Sequence, residues 1–150
     1  MYQKIFIASD HAGLSLKKAL IELNPELPWQ DLGTSDETSV DYPDYADKVA
    51  LKLKPLNDQF KDEKKCGILI CGSGQGMAIR ANKYSYIRAA LCWTAEIAKL
   101  SREHNNANIL CMGSRTTEPS VAQAILTTFL QTPFAGGRHE QRVTKLSKNC

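Results

Sequence analysis

Two rhythms of apolar and polar positions alternate along the chain. Short β-branched or aromatic runs read as buried strands, and longer stretches with apolar residues three and four apart read as helices packed on them. Lys4 to Ser9 is the first strand-like run, and Leu14, Leu16, Leu20, Ile21 and Leu23 form a helical stripe that runs out near Asn24-Pro25. Trp29 to Leu32 predicts a short second strand closed by Gly33, with Thr34 to Asp41 as a polar surface loop. Pro43 suits the first turn of a helix, whose buried face would be Ala46, Val49, Ala50, Leu53 and Leu56. Asn57 to Lys65 is charged and reads as a connector. Ile68, Leu69 and Ile70 make a third strand ending at Cys71, and Met77 to Lys83 reads as the opening of a helix. Ile87 to Cys92 is a fourth strand, followed by Thr94 as cap of a helix from Ala95 to Arg102 that ends at His104-Asn105-Asn106. Ala107 to Met112 is a fifth strand, ending at Gly113-Ser114-Arg115. Pro119 starts a helix with Val121, Ala124, Ile125, Thr128 and Phe129 on its inner side, and a last helix after Gly136-Gly137-Arg138 holds Arg142, Val143 and Leu146.

Strands alternating with helices predict an α/β fold: a three-layer α/β/α sandwich around a five-stranded, mainly parallel, Rossmann-like sheet. No repeat, low-complexity tract or second domain interrupts it, so residues 1–150 are expected to form one domain. In such sheets ligands bind outside the carboxyl ends of the strands. Those ends carry Asp10 and His11, Cys71 to Gly76, and Arg115, with His104 just ahead of the fifth strand. The expectation is a single rim that collects an acid, two imidazoles, a thiol, a glycine-rich turn and an arginine.

Composition narrows the partners. The net charge is only +3 and the lysines are scattered, which gives nucleic-acid binding no support. No apolar run approaches the roughly 20 residues of a membrane span, and the N-terminal run is too short for a signal peptide. The five cysteines are an odd number without a C-x-x-C pair, which suits free thiols in a reducing cytoplasm.

The stretch from Cys66 to Lys83 carries the sharpest chemical signal. Gly72, Gly74 and Gly76 alternate with Ser73 and Gln75 directly after the third strand. Glycines there let the backbone turn sharply and bring several N–H groups close to a ligand with no Cβ in the way. Together with a following helix N-terminus, those donors prefer negative charge, and a thiol at the mouth of such a loop ionises more readily than a free one. The spacing is neither G-x-G-x-x-G nor a P-loop, since Met77-Ala78 follows where Lys-Ser/Thr belongs. Cys71 is either a small core hydrophobe or a nucleophile or base, whereas Cys66, Cys92 and Cys111 read as packing. His104 could cap a helix C-terminus, and His11 could simply start a helix. Arg138 and Arg142 lie four apart and share a helical face, to serve acidic neighbours or to clamp a phosphate. Asp10, His11 and His104 are the only candidates for a metal site and lack a recognisable ligand spacing. A phosphate-binding module without catalysis and a thiol sensor acting through Cys71 both stay open, the second weakened by the lack of a nearby resolving cysteine.

Seven stretches, spread over nearly the whole chain, resemble one family: Ser9 to Gly13 (SDHAG), Asp41 to Ala46 (DYPDYA), Gly67 to Lys83 (GILICGSGQGMAIRANK), Ile87 to Ala90 (IRAA), Ser101 to Leu110 (SREHNNANIL), Gly113 to Arg115 (GSR) and Gly136 to Val143 (GGRHEQRV). That family is the B-type ribose-5-phosphate isomerases, which also holds allose-6-phosphate and galactose-6-phosphate isomerases. The resemblance implies an aldose–ketose isomerase of the non-oxidative pentose phosphate pathway, working through a cis-enediolate without cofactor or metal. It implies Cys71 as the proton-abstracting base, and Ser73 with the Gly72, Gly74, Gln75 and Gly76 amides as the cradle of the enediolate. His104 would help open the furanose ring with Asp10 as counterpart; Asn105, Tyr42 and His11 would contact the sugar. Arg115, Arg138 and Arg142 would bind substrate, the last two chiefly its phosphate. A branch of the family that lacks the cysteine carries a glutamate after the last loop glycine; Met77 stands there, which implies the cysteine branch. Leu53 to Lys65 looks longer than the family norm. The family also implies a homodimer with Arg138 and Arg142 facing the partner's Cys71, and leaves open whether dimers pair into tetramers and whether five- or six-carbon sugars are preferred.

Overall fold

A computed structural model describes residues 2–55 and 64–148. β1 (Lys4–Ser9), β2 (Trp29–Asp31), β3 (Lys65–Cys71), β4 (Ala89–Leu91) and β5 (Ile109–Gly113) form one sheet in the order β2-β1-β3-β5-β4. Every pairing is parallel, which makes the sheet fully rather than mainly parallel. Successive residues of each inner strand point to opposite faces. Ile5, Ile7, Ile68, Ile70, Leu110 and Met112 enter one apolar layer; Phe6, Ala8, Leu69, Cys71, Ile109 and Cys111 enter the other. Helices α1 (Leu14–Leu23), α4 (Ala95–Asn105) and α5 (Pro119–Gln131) cover the first layer. Helices α2 (Tyr42–Lys52) and α3 (Gln75–Ala81) cover the second. Helix α6 (Arg138–Leu146) packs on α4. Ile68 has no exposed surface, so truncating it to alanine would cost about 2–5 kcal/mol.

Helix ends follow their sequence signals. Pro43 and Pro119 sit in the first turns of α2 and α5, and the Thr94 hydroxyl oxygen accepts the Ile97 N–H at 3.3 Å to start α4. Asn106 ends α4 in the left-handed conformation at φ 45°, so His104 and Asn105 belong to the last turn.

Several boundaries differ from expectation. Lys65 opens β3 instead of closing the connector, and α3 starts at Gln75. β2 and β4 are three residues each because they are edge strands paired on one side only. In α5 the inner face is Ala122, Ile125, Leu126 and Phe129, while Val121 is 41% exposed and Ala124 is exposed. Val121 and Ala124 lie one residue before members of the inward row, about 100° around the helix. Leu23 is likewise exposed at the end of α1. Leu56 and most of the charged connector, residues 57–63, lie outside the described residues.

The strand order puts the carboxyl ends of β1, β3 and β5 side by side at the centre of the sheet. The chain crosses from β1 to β2 on one side and continues from β3 on the other, which is the crevice where open α/β sheets bind ligands.

Candidate active site

Cys71 closes β3 on the α2/α3 face and is only 4% exposed. Its Sγ accepts the Gly74 N–H at 3.1 Å, a bond that a thiolate accepts more strongly than a thiol. The sulfur thus meets the turn, not hydrocarbon alone. Gly74 has φ +75°, and a Cβ there would stand 2.9 Å from the Met112 carbonyl oxygen. Only glycine fits both the backbone and the space. The Gln75 N–H points back to Ser73 Oγ at 3.4 Å. Because α3 is just seven residues long, the anion preference rests on the loop's own amides more than on a helix dipole.

The turn after β5 clamps this loop. The Ser114 N–H donates to the Cys71 carbonyl at 2.8 Å and the Arg115 N–H to the Gly72 carbonyl at 3.0 Å. The Arg115 guanidinium lies against Gly72, where an added Cβ would be 3.1 Å from Cζ. The Tyr42 ring lies on Gly76, where a Cβ would be 2.8 Å from the phenolic oxygen. Missing side chains at these two glycines therefore let a cation and a phenol close over the loop. The Ser114 hydroxyl donates to the Ala12 carbonyl at 2.8 Å, which joins the turn after β1 to the same cluster.

Asp10 is 6% exposed, and one carboxylate oxygen accepts the Gly13 N–H at 2.9 Å. The Val40 N–H donates to His11 Nδ1 at 3.2 Å. An acceptor Nδ1 puts the proton of a neutral imidazole on Nε2, so His11 offers a donor on its free side. Met77 is fully buried in the apolar layer that holds Cys71.

Within one chain the structure does not bring His104, Asn105, Arg138 or Arg142 to this rim. In a parallel sheet, a residue just ahead of β5 lies at the opposite edge from residues just beyond β3. Cys71 pairs with Gly113 and Ile109 begins the strand, so β5 alone separates the two groups by about 13 Å. The expectation of a single rim with both imidazoles is corrected accordingly. His104 instead joins a second cluster, where its ring stacks on that of His139 with centroids 4.4 Å apart and planes 10° from parallel. The Ala135 N–H donates to the Glu103 carbonyl at 3.0 Å, and Arg102 Nε to the Thr132 carbonyl at 3.2 Å, which hold the segment before α6 against α4. Arg138 and Arg142 project from α6 into solvent. Burial, then the neighbouring His104, Arg138 and Arg142, hold the His139 pKa below the usual imidazole range. Sequence reasoning missed His139, although its place next to Arg138 was a visible signal.

Cys66, Cys92 and Cys111 are free and fully buried. Burial pushes the Cys92 thiol up to about 11 and those of Cys66 and Cys111 higher still. Among the described residues, no group of three or more His, Cys, Asp or Glu side chains is arranged to hold a metal ion. No helix there is long and apolar enough to cross a membrane.

A thiol held by a loop amide, in a turn overlaid by a guanidinium and a phenol at the switch point of a parallel sheet, defines an α/β protein with a ligand crevice at the carboxyl edge of its strands. The chain belongs to the ribose/galactose isomerase family, whose model matches residues 5–146. It is 40% identical over 149 residues to ribose-5-phosphate isomerase B of Escherichia coli, covering 97% of this chain and 95% of that one. A ribose 5-phosphate isomerase of Thermotoga maritima superimposes with a TM-score of 0.89 at 47% identity, over 98% and 99% of the two chains. Ribose-5-phosphate isomerase B of Mycoplasma genitalium, solved with bound ribulose-5-phosphate, gives 0.87 at 43% identity over 96% and 93%.

Proposed function

We propose that the chain interconverts D-ribose 5-phosphate and D-ribulose 5-phosphate through a cis-enediolate. The observation that carries this reading is the Cys71 sulfur, bonded to the Gly74 amide at 3.1 Å inside a turn overlaid by Arg115 and Tyr42. In the proposed reaction His104 gives a proton to ring oxygen O4 as the C1–O4 bond breaks, and the C1 hydroxyl proton passes to Asp10. The Cys71 thiolate then takes the C2 proton and returns it to C1, while the hydroxyl proton moves from O2 to O1. The Gly72 to Gly76 amides and Ser73 meet the developing oxyanion, and a donor of that kind contributes about 3 kcal/mol in other enzymes. His11 Nε2–H, Tyr42 and Asn105 contact sugar oxygens. Arg115, Arg138 and Arg142 hold the substrate, and the last two fix its phosphate at a set reach from C2.

The working unit is a homodimer with shared sites. Support comes from the two half-sites at opposite edges of the sheet, which a second copy can bring together. The exposed Ile79 and Trp93, 62% and 58% accessible, follow β3 and β4 toward that rim and are surface such a copy would cover. Free, buried Cys66, Cys92 and Cys111 support a cytoplasmic setting, and the nearly end-to-end family match supports one isomerase domain.

Turnover in deuterated solvent tests the chemistry. An enediolate exchanges the migrating hydrogen with solvent, whereas complete retention, with loss of activity in chelator, would contradict it and favour a metal-assisted hydride shift. Ribose 5-phosphate turned over faster than allose 6-phosphate is the expected preference, and the reverse order would reassign the substrate.

A further inference from the structure

We propose that His139 is a positioning residue whose ring face holds the His104 imidazole flat and couples it to the helix that carries Arg138 and Arg142. The inference rests on the reading above that His104 opens the furanose ring.

Three observations carry it. The first is the stack itself, 4.4 Å between centroids and 10° between planes. The second is that, among the described residues, neither imidazole makes a hydrogen bond to another protein group, and the last turn of α4 leaves the His104 ring half-buried. The terminal torsion of a histidine is broad, so the stacked face is what restricts the ring's orientation. The third is that His139 is nearly buried, at 9% exposure, at the start of α6. There its N–H donates to the Gly136 carbonyl at 3.1 Å, within a turn of two left-handed glycines, Gly136 and Gly137.

Chemistry gives the arrangement a purpose. Arg138 and Arg142 flank His139 on α6, so the stack fixes the reach from the phosphate clamp to the imidazole that protonates O4. A neutral ring suits that place, because a second cation beside two guanidinium groups and another imidazole would repel them. The lowered His139 pKa agrees with this.

A sugar without the ring oxygen supplies the control. Ribose 5-phosphate enters as a furanose and must be opened. Its 4-deoxy analogue cannot close to a furanose, because it lacks the O4 that would form the ring. A group that acts only through ring opening therefore matters for the first sugar and not for the second.

The experiment compares His139→Leu, His139→Ala and His139→Phe with His104→Ala, by initial rates on both sugars and by denaturation midpoint. Leucine and alanine are expected to lower kcat/KM for ribose 5-phosphate by about 10- to 100-fold while kcat/KM for the 4-deoxy analogue stays within about twofold. Phenylalanine keeps a flat face and is expected to restore most of the loss. Equal losses on both sugars, or no loss with leucine and alanine, would overturn the proposal. So would a phenylalanine variant as poor as leucine, since the polar atoms of His139 would then be what matters. His104→Ala separates the layers: if it is not selective for the furanose, the ring-opening role itself falls. If it is selective and His139→Leu is not, only the stack falls. Should the leucine variant fail to fold, alanine, which adds no bulk, carries the same comparison.

Discussion

Replacing Gly74 with alanine strains the loop at the point where structure and chemistry meet. At φ +75° an alanine is held in the left-handed region, which costs roughly 1–2 kcal/mol. Its Cβ would also stand 2.8 and 2.9 Å from the backbone carbon and oxygen of Met112, in the centre of the sheet where neither atom can swing aside. Relief requires the loop to lift from β5, and overpacking of this kind adds about 1–3 kcal/mol. The expected destabilisation is about 2–5 kcal/mol, or roughly 5–15 °C in melting temperature for a chain of this size. Lifting the loop also draws the Gly74 N–H away from the Cys71 sulfur. Loss of one such donor lowers kcat by about 10²- to 10³-fold in other enzymes. Gly72→Ala is the paired control, because its Cβ would meet only the Arg115 guanidinium at 3.1 Å, the far end of a flexible side chain. That variant should keep its stability and show mainly a raised KM. Denaturant titration with steady-state kinetics on both variants reads the contrast. A Gly74→Ala protein with wild-type midpoint and turnover would refute the idea that this amide is built into the site.

Other expectations follow from the same contacts. Lys17 is 1% exposed and reaches Asp31 at 2.6 Å and the Thr34 carbonyl at 2.6 Å; Lys17→Met should cost about 2–4 kcal/mol by denaturant titration, and a neutral result would contradict that bonding. The Arg80 guanidinium beside Asp47 holds its carboxyl below the ordinary carboxylate value, so the pair stabilises the fold fully above about pH 5 and the gain is lost as pH falls below about 4. Asp47→Asn should therefore be less stable than wild type at neutral pH and indistinguishable from it in strong acid. Iodoacetamide on the folded protein at pH 8 should leave Cys66, Cys92 and Cys111 unmodified in peptide mass maps, since burial raises all three thiols. Mixing Cys71→Ala with His104→Ala and allowing subunits to re-pair should restore about a quarter of wild-type activity if sites are shared between copies; no recovery would mean they are not.

The strands and the loop after β3 were legible because their signals are local. An apolar run ending in alternate glycines can do little other than turn tightly. The inner face of α5 was read correctly at Ile125 and Phe129 but one position early at Val121 and Ala124, because Val121 and Ala122 are both apolar and only the sheet beneath decides which one turns inward. His104 was expected at the wrong edge, although in a parallel sheet a residue that precedes β5 lies opposite those that follow β3. Tyr42 over Gly76 and Arg115 over Gly72 depend on the order β2-β1-β3-β5-β4, which brings segments from far along the chain together. The stack of His139 on His104 was hidden for the same reason, since its partner sits on another helix, and only the place of His139 beside Arg138 hinted at a role.

The central claim is that the Cys71 sulfur moves the proton between C2 and C1. Cys71→Ala, assayed for turnover of ribose 5-phosphate and separately for its binding by calorimetry, addresses it most directly. The account predicts a fall in kcat of about 10²- to 10⁴-fold with binding nearly unchanged. Turnover close to that of the unmodified protein would contradict it.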